Sequence, residues 1–224
     1  ECTTNIINRL LKHSDGNVYA FCNRSVFKCS MNQTVETVFP DIAIPSPTYS
    51  VAQAPDKDIY IGTESNGLYI YSENWKLKKH VPIDGIIATI LPDNNGDIWL
   101  GLDETGICLF NKNKQTFTWL HKDNTNLNNN SIRTFVSYGD SSILVGTFRG
   151  LNILNKKELT ITPANINIAG KGGLSHYSIH SMLIDKDQTL WIGTYSAGVN
   201  YHSPFYRPVS YITPNEYAGI IGKG

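Results

Sequence analysis

Asp93-Asn94-Asn95-Gly96-Asp97-Ile98-Trp99-Leu100-Gly101 decides the fold. An Asp/Asn/Gly tetrad favours a hairpin turn, because Asp and Asn bond their own backbone and Gly tolerates left-handed dihedrals. The Ile-Trp-Leu run behind it has strand character. The same grammar returns in Asp185-Lys-Asp-Gln-Thr-Leu-Trp191-Ile-Gly193-Thr194, in Pro55-Asp-Lys-Asp-Ile-Tyr60-Ile-Gly62-Thr63 and in Gly139-Asp-Ser-Ser-Ile-Leu144-Val-Gly146-Thr147. A weaker copy is Ser14-Asp-Gly-Asn-Val-Tyr19-Ala-Phe21-Cys22. The glycine position falls at 21 (Phe here), 62, 101, 146 and 193, in steps of 41, 39, 45 and 47 residues.

Each copy extends in the same way. Ser178-Ile-His-Ser-Met-Leu-Ile184 alternates with period two and reads as a strand ahead of the turn. Leu190–Ile192 follows the turn, Ser196-Ala-Gly198 breaks the chain, and Val199–Tyr201 and Arg207–Ile212 complete the unit. Four antiparallel strands in ~40–45 residues is the size of a propeller blade. The prediction is an all-β propeller segment spanning residues 1–224. About five four-stranded blades are expected, near 5–40, 47–83, 85–122, 130–164 and 175–213, with a further unit beginning at 214–224. Asn5–Leu11 could mimic a helix, but it sits where the first strand of blade 1 is required. Stacking blades is expected to bury Trp99, Trp191, Tyr60 and Tyr19 between sheets, and the following glycine lets the next sheet approach. WD40 repeats have a similar length, but their Gly-His and Trp-Asp dipeptides hold no fixed place here. The Asp-x-x-Gly turn resembles the Asp-box hairpin of sialidase-like propellers, a structural feature without catalysis of its own.

Composition agrees with one β-rich domain or a large piece of one. Of 224 residues 41% are hydrophobic and 11% aromatic, enough to build a core. Nineteen basic residues balance 19 acidic ones, so no net field draws the chain to nucleic acid or an anionic membrane. No apolar run approaches a membrane span, and no signal peptide opens the sequence. Cys2, Cys22, Cys29 and Cys108 form no C-x-x-C, and they read as small buried hydrophobes. Asn23, Asn32 and Asn129 head N-x-S/T triplets that matter only in a secreted eukaryotic protein.

Asn130-Ser-Ile-Arg-Thr-Phe-Val136 with Ile143-Leu-Val-Gly-Thr-Phe-Arg-Gly-Leu-Asn-Ile153 resembles a two-component-regulator propeller repeat. So does Gly173-Leu-Ser-His-Tyr-Ser-Ile-His-Ser-Met-Leu-Ile-Asp185 with Leu190-Trp-Ile-Gly-Thr-Tyr-Ser-Ala-Gly-Val-Asn-Tyr201. The resemblance runs from about Ile7 to Tyr211, weakest in blade 1, and blade 4 lacks the turn glycine and the tryptophan. Such repeats build the periplasmic sensor region of Bacteroidetes hybrid two-component histidine kinases. There, two seven-bladed propellers and a β-sandwich precede a membrane helix, a kinase, a receiver and a DNA-binding output domain. The resemblance therefore implies that this chain is a fragment of a larger sensor. It implies a periplasmic location in an inner-membrane protein, a homodimer in the full-length sensor, and membrane contact only through regions outside this chain.

The loops suggest where a ligand would sit. The Asp-x-x-Gly turns should occupy one rim. The connections between strands two and three and between blades should occupy the other, which carries Asn23-Arg24, Glu64-Ser-Asn66, Asp103-Glu104, Phe148-Arg149, Tyr195-Ser196, His121–Asn130 and Asn165–Tyr177. Saccharides are held by aromatic stacking and bidentate polar side chains. The expected ligand-binding residues are Arg149, Tyr195, Asp103, Glu104, His176, Tyr177, Glu64 and Asn66. No cofactor and no metal is expected, since the six histidines show no ligand spacing. His180, inside a strand, reads as a packing residue. No G-x-S-x-G, P-loop or recurring arginine supports catalysis. The expected function is thus extracytoplasmic sensing of a glycan or oligosaccharide, relayed to a kinase. The alternatives are a protein-binding propeller scaffold or a propeller lyase or glycosidase.

Overall fold

A computed structural model describes residues 6–22, 25–30, 32, 34–37, 44, 46–164, 173–204 and 210–212. Cys2, Asn23-Arg24, residues 165–172, Arg207 and the unit expected at 214–224 lie outside the described residues. The described residues form strands joined by turns and contain no helix, so none is long and apolar enough to cross a membrane.

The strands fall into five four-stranded sheets, each a meander of consecutive antiparallel strands. Blade 1 holds β1 (Arg9–Lys12), β2 (Val18–Phe21), β3 (Val26–Cys29) and β4 (Val35–Thr37). Blade 2 holds β5 (Thr48–Gln53), β6 (Ile59–Thr63), β7 (Leu68–Tyr71) and β8 (Leu77–Val81). Blade 3 holds β9 (Ile87–Pro92), β10 (Asp97–Leu102), β11 (Gly106–Asn111) and β12 (Thr116–Leu120). Blade 4 holds β13 (Ile132–Tyr138), β14 (Ser142–Thr147), β15 (Gly150–Asn155) and β16 (Ile161–Pro163). Blade 5 holds β17 (Ile179–Ile184), β18 (Leu190–Thr194), β19 (Val199–His202) and β20 (Ser210–Ile212).

The chain divides into two compact units, Glu1–Asp103 with Ile107–Trp119, and Glu104–Gly106 with Leu120–Gly224. In the first unit, β1, β5 and β9 pack side by side as the first strands of successive blades. Tyr19 and Phe21 of blade 1 meet Ile59, Ile61, Tyr69 and Tyr71 of blade 2. The opposite side of blade 2, with Tyr60, Leu68 and Ile70, meets Ile87, Ile98 and Leu100 of blade 3. A Cβ on Gly62 would stand 2.6 Å from Ile87 Cγ2, so the bare backbone is what lets blade 3 close on blade 2. In the second unit, Leu144 and Leu151 of blade 4 pack with Ile179, Leu190 and Ile192 of blade 5. Gly146 there takes the part of Gly62, at 2.6 Å from Ile179 Cγ2.

Tyr19, Tyr60 and Trp99 are buried as their pattern predicts. Trp191 is not. It is only half-buried, because no further sheet among the described residues lies over its side of blade 5. Its indole Nε1 donates to Asp185 Oδ2 at 2.8 Å instead. Cys22 and Cys108 are buried, while Cys29 is half-buried.

The turns between first and second strands of blades 1, 2, 3 and 5 share one hydrogen-bond scheme. His13, Ala54, Asp93 and Asp185 each accept from the residue three positions on and donate to the residue four positions on. The third position must be left-handed, which glycine supplies at Gly16 and Gly96 (both φ 87°), whereas Lys57 and Gln188 adopt it at φ 69° and 61°. On the turn side of the first unit, buried Asp58 pairs with Lys78 and Lys112, and Lys112 also holds Asp56. Burial works against both charges, but this hydrogen bonding holds the Asp56 carboxyl below its usual range and the Lys112 ammonium above its own. Burial pushes the neighbouring Tyr60 phenol up to about 12.

Candidate functional site

One backbone hydrogen bond repeats at the opposite end of four blades. Glu64, Asp103, Phe148 and Tyr195 are the residues that follow each second strand. Their N–H groups donate to the carbonyls of Pro47, Ile86, Ser131 and Ser178, each at 3.0 Å. Each acceptor immediately precedes the first strand of the same blade. Just inside, the register of that strand slips, and Tyr49, Ala88, Arg133 and His180 are bulged. A bulge re-aims a side chain at the end of a sheet. His180 is accordingly exposed rather than packed, contrary to its strand reading. Alternation identifies a strand but does not reveal where its register slips.

The glycine-threonine pairs of the repeat pin the adjacent loop. Thr63, Thr147 and Thr194 donate Oγ1 to the carbonyls of Gly67, Gly150 and Gly198 at 2.8, 2.9 and 2.9 Å. The same hydroxyls accept from the N–H groups of Asn66, Arg149 and Ala197. In the second unit an asparagine on the third strand fixes the connection between blades. Buried Asn152 donates to Asn128 Oδ1 at 2.9 Å, and buried Asn200 donates to Ser175 Oγ at 3.0 Å. Much of the polar loop chemistry thus builds the loops themselves.

Of the expected binding residues, Glu64, Asn66 and Asp103 lie in the first unit. Glu64 is exposed. Asn66 is half-buried and occupied, its Oδ1 accepting from Tyr69 Oη at 2.8 Å and its carbonyl lying 2.7 Å from His80 Nε2. Asp103 is half-buried beside exposed Glu104, whose backbone is left-handed at φ 64°.

Arg149, His176, Tyr177 and Tyr195 lie in the second unit, Arg149 at the end of blade 4 and the other three at the adjoining end of blade 5. Gly146, two residues before Phe148, lies against Ile179, and the 195–178 hydrogen bond ties the Tyr195 loop to the same lead-in segment. His176 stacks on Tyr177 at 4.5 Å, and its Nδ1 accepts the Ser178 N–H at 3.0 Å. Tyr195 is 74% exposed, Tyr177 44% and Phe148 43%, so three aromatic rings face solvent. Arg133 lies over the Phe148 ring at 5.9 Å. Phe148 and Arg133 were not among the expected binding residues. Phe148 was legible, since it occupies the repeat position of Tyr195, but the bulge that aims Arg133 was not.

The ends of blades 2 and 3 carry Glu64, Asp84 and Asp103 and no basic residue over 46–49, 63–67, 82–86 and 102–103. The ends of blades 4 and 5 carry Arg133, Arg149, His176 and His180 and no carboxylate over 131–133, 147–150, 173–180 and 194–198. A separate hollow of about 390 Å³, lined by residues 123–126 and 159–161, takes in part of the Asn-rich loop but none of the expected residues. Among the described residues no cluster of His, Cys, Asp or Glu is placed to hold a metal.

Residues 173–196, the lead-in and first half of blade 5, match the two component regulator propeller family. No curated protein matches the chain. Among solved structures, it superimposes on one described as the extracellular domain of a hybrid two component system from B. thetaiotaomicron. The TM-score is 0.75 at 18% identity, over 94% of this chain and 28% of the other. A second structure of that extracellular domain, described as from a one component system, gives 0.73 at 18% identity over 92% and 27%. A catalytically inactive virginiamycin B lyase from Staphylococcus aureus, solved with quinupristin, gives 0.68 at 13% identity over 94% and 71%. These likenesses make the fold a β-propeller. The chain spans little more than a quarter of the two extracellular domains.

Proposed function

We propose that this chain is a non-catalytic segment of an extracytoplasmic sensor propeller. It binds an oligosaccharide at the loop ends of blades 4 and 5, and in the full-length protein it passes that event to a cytoplasmic histidine kinase across the inner membrane. The observation that carries the reading is the trio Phe148, Tyr177 and Tyr195. These are solvent-facing rings on loops pinned by repeated backbone hydrogen bonds. Aromatic faces held in place take the C–H face of a sugar ring with little loss of side-chain freedom. The regulator repeat at 173–196 lies in the same place and supports a sensory role. Binding would shift the packing of a sensor dimer and so bias the kinase.

Thermal unfolding against a panel of neutral and acidic oligosaccharides tests this. Ligand at ~100 times its Kd should add roughly 2.7 kcal/mol, a rise of about 5–10 °C in Tm for a chain of this size. The expected result is a shift with one sugar class, no product formed, and loss of the shift in Tyr195→Ala. No shift with any sugar would sink the reading. It would favour the protein-binding scaffold.

A further inference from the structure

We infer that the saccharide taken by blades 4 and 5 is anionic: a carboxylate or sulfate on the sugar is held by Arg149 while the ring lies on the tyrosines. This rests on the oligosaccharide reading above and adds the ligand's charge and its principal ion-pairing residue.

Three observations lead there. The first is how the chain uses its other described arginines. Arg9 donates to the Asn8 carbonyl, and Arg133 lies over the Phe148 ring. Arg149 differs. Its backbone N–H is fixed to Thr147 Oγ1 at 3.0 Å, yet its exposed guanidinium makes no hydrogen bond or ion pair among the described residues. A guanidinium is charged at any working pH and offers a planar fork that matches a carboxylate or sulfate.

The second is the surrounding field. No carboxylate occurs on the blade 4 and 5 loop ends, and Arg133, His176 and His180 share them with Arg149. Glu104 and Asp123 are the flanking acids; Gly106, two residues after the first, donates to the Asn130 carbonyl at 2.9 Å, and Lys122, beside the second, donates its N–H to Asn130 Oδ1 at 2.8 Å. A one-signed strip concentrates ligands of the opposite sign, although the whole chain has no net charge.

The third is what sits beside the charge. Tyr177 and Tyr195 present flat apolar faces, which a bare inorganic anion would not use. A sugar ring bearing an acid uses both.

Calorimetric titration of the chain decides it, with a galacturonate tetrasaccharide, a sulfated chondroitin tetrasaccharide and neutral xylotetraose as probes, each at low and high salt. One of the two anionic probes should bind at least ~10-fold tighter than xylotetraose and weaken as salt rises. Whether the uronate or the sulfated probe leads identifies the acid. Arg149→Gln should lose about 10-fold or more for that probe, the scale of a charged hydrogen bond, without changing the ligand-free Tm. If xylotetraose binds as tightly as the anionic probes and Arg149→Gln binds normally, the charge inference falls while oligosaccharide sensing stands. If none of the three binds, both fall.

Discussion

Blade 2 and blade 5 present the same sequence pattern on the same side, and among the described residues only blade 2 has a sheet over that side. Blade 2 shows Ser50, Tyr60, Gly62, Leu68 and Ile70, all paired across neighbouring strands. Blade 5 shows Ser181, Leu183, Trp191, Gly193, Val199 and Tyr201 in the same register. Under blade 3, Tyr60 and Leu68 are fully buried and Ser50 donates to the Ile87 carbonyl at 2.6 Å. On blade 5, Leu183 is 60% exposed, Val199 41%, and Trp191 turns its N–H to Asp185. Even the glycine changes meaning. An added Cβ at Gly62 meets Ile87 as well as Ser50, whereas at Gly193 it meets Ser181 alone. A repeat thus encodes a face prepared for a neighbour, and the neighbour decides what each residue contributes.

The largest expected contrast is in truncation. Ile87→Ala should cost about 2–5 kcal/mol by denaturant unfolding, through lost burial and the cavity left behind. Leu183→Ala should stay within about 0.5 kcal/mol. Equal costs would mean that the blade 5 side is covered in solution. Next comes the glycine. Gly62→Ala should cost about 1–3 kcal/mol, since the Ile87 side chain is held in a packed sheet. Gly193→Ala should be nearly neutral, because the contacted Ser181 Oγ can rotate away. Smaller still, Ser50→Ala should cost about 1 kcal/mol for a lost buried hydrogen bond, with Ser181→Ala silent.

The smallest contrast is in acid. Asp56 and Asp185 both titrate below their usual range. The Lys112 hydrogen bond lowers Asp56 against its burial, and the Trp191 N–H lowers Asp185. A depressed folded value stabilises above the unfolded pKa, near 3.8, and that stability is lost as pH falls through the folded value. Asp56→Asn and Asp185→Asn should each flatten the decline in stability below about pH 4. Only Asp185→Asn should also alter Trp191 fluorescence. If neither variant changes the acid limb, these contacts do not persist in solution.

The fold was legible because period-two alternation and the Asp/Asn/Gly turn are local signals, repeated often enough to reveal one unit. The positions of Glu64, Asp103, Phe148 and Tyr195 were legible for the same reason: they follow the same strand in each copy. What separates them was not. Asn66 has the right chemistry for a ligand, but its side chain serves Tyr69. His180 looks like a packing residue until the register slips at Ile179/Ser181 and leaves it exposed. Trp191 looks like Trp99 because alternation assigns a side of the sheet, not a covering partner.

The residue pattern alone determined the strands, the turns and the length of each blade, since all of these depend on contacts between near neighbours in the chain. Tertiary structure decided which apolar sides are buried, which cations are already paired, and which loop aromatics face water. Those depend on segments well separated in the chain, whose meeting no local pattern records.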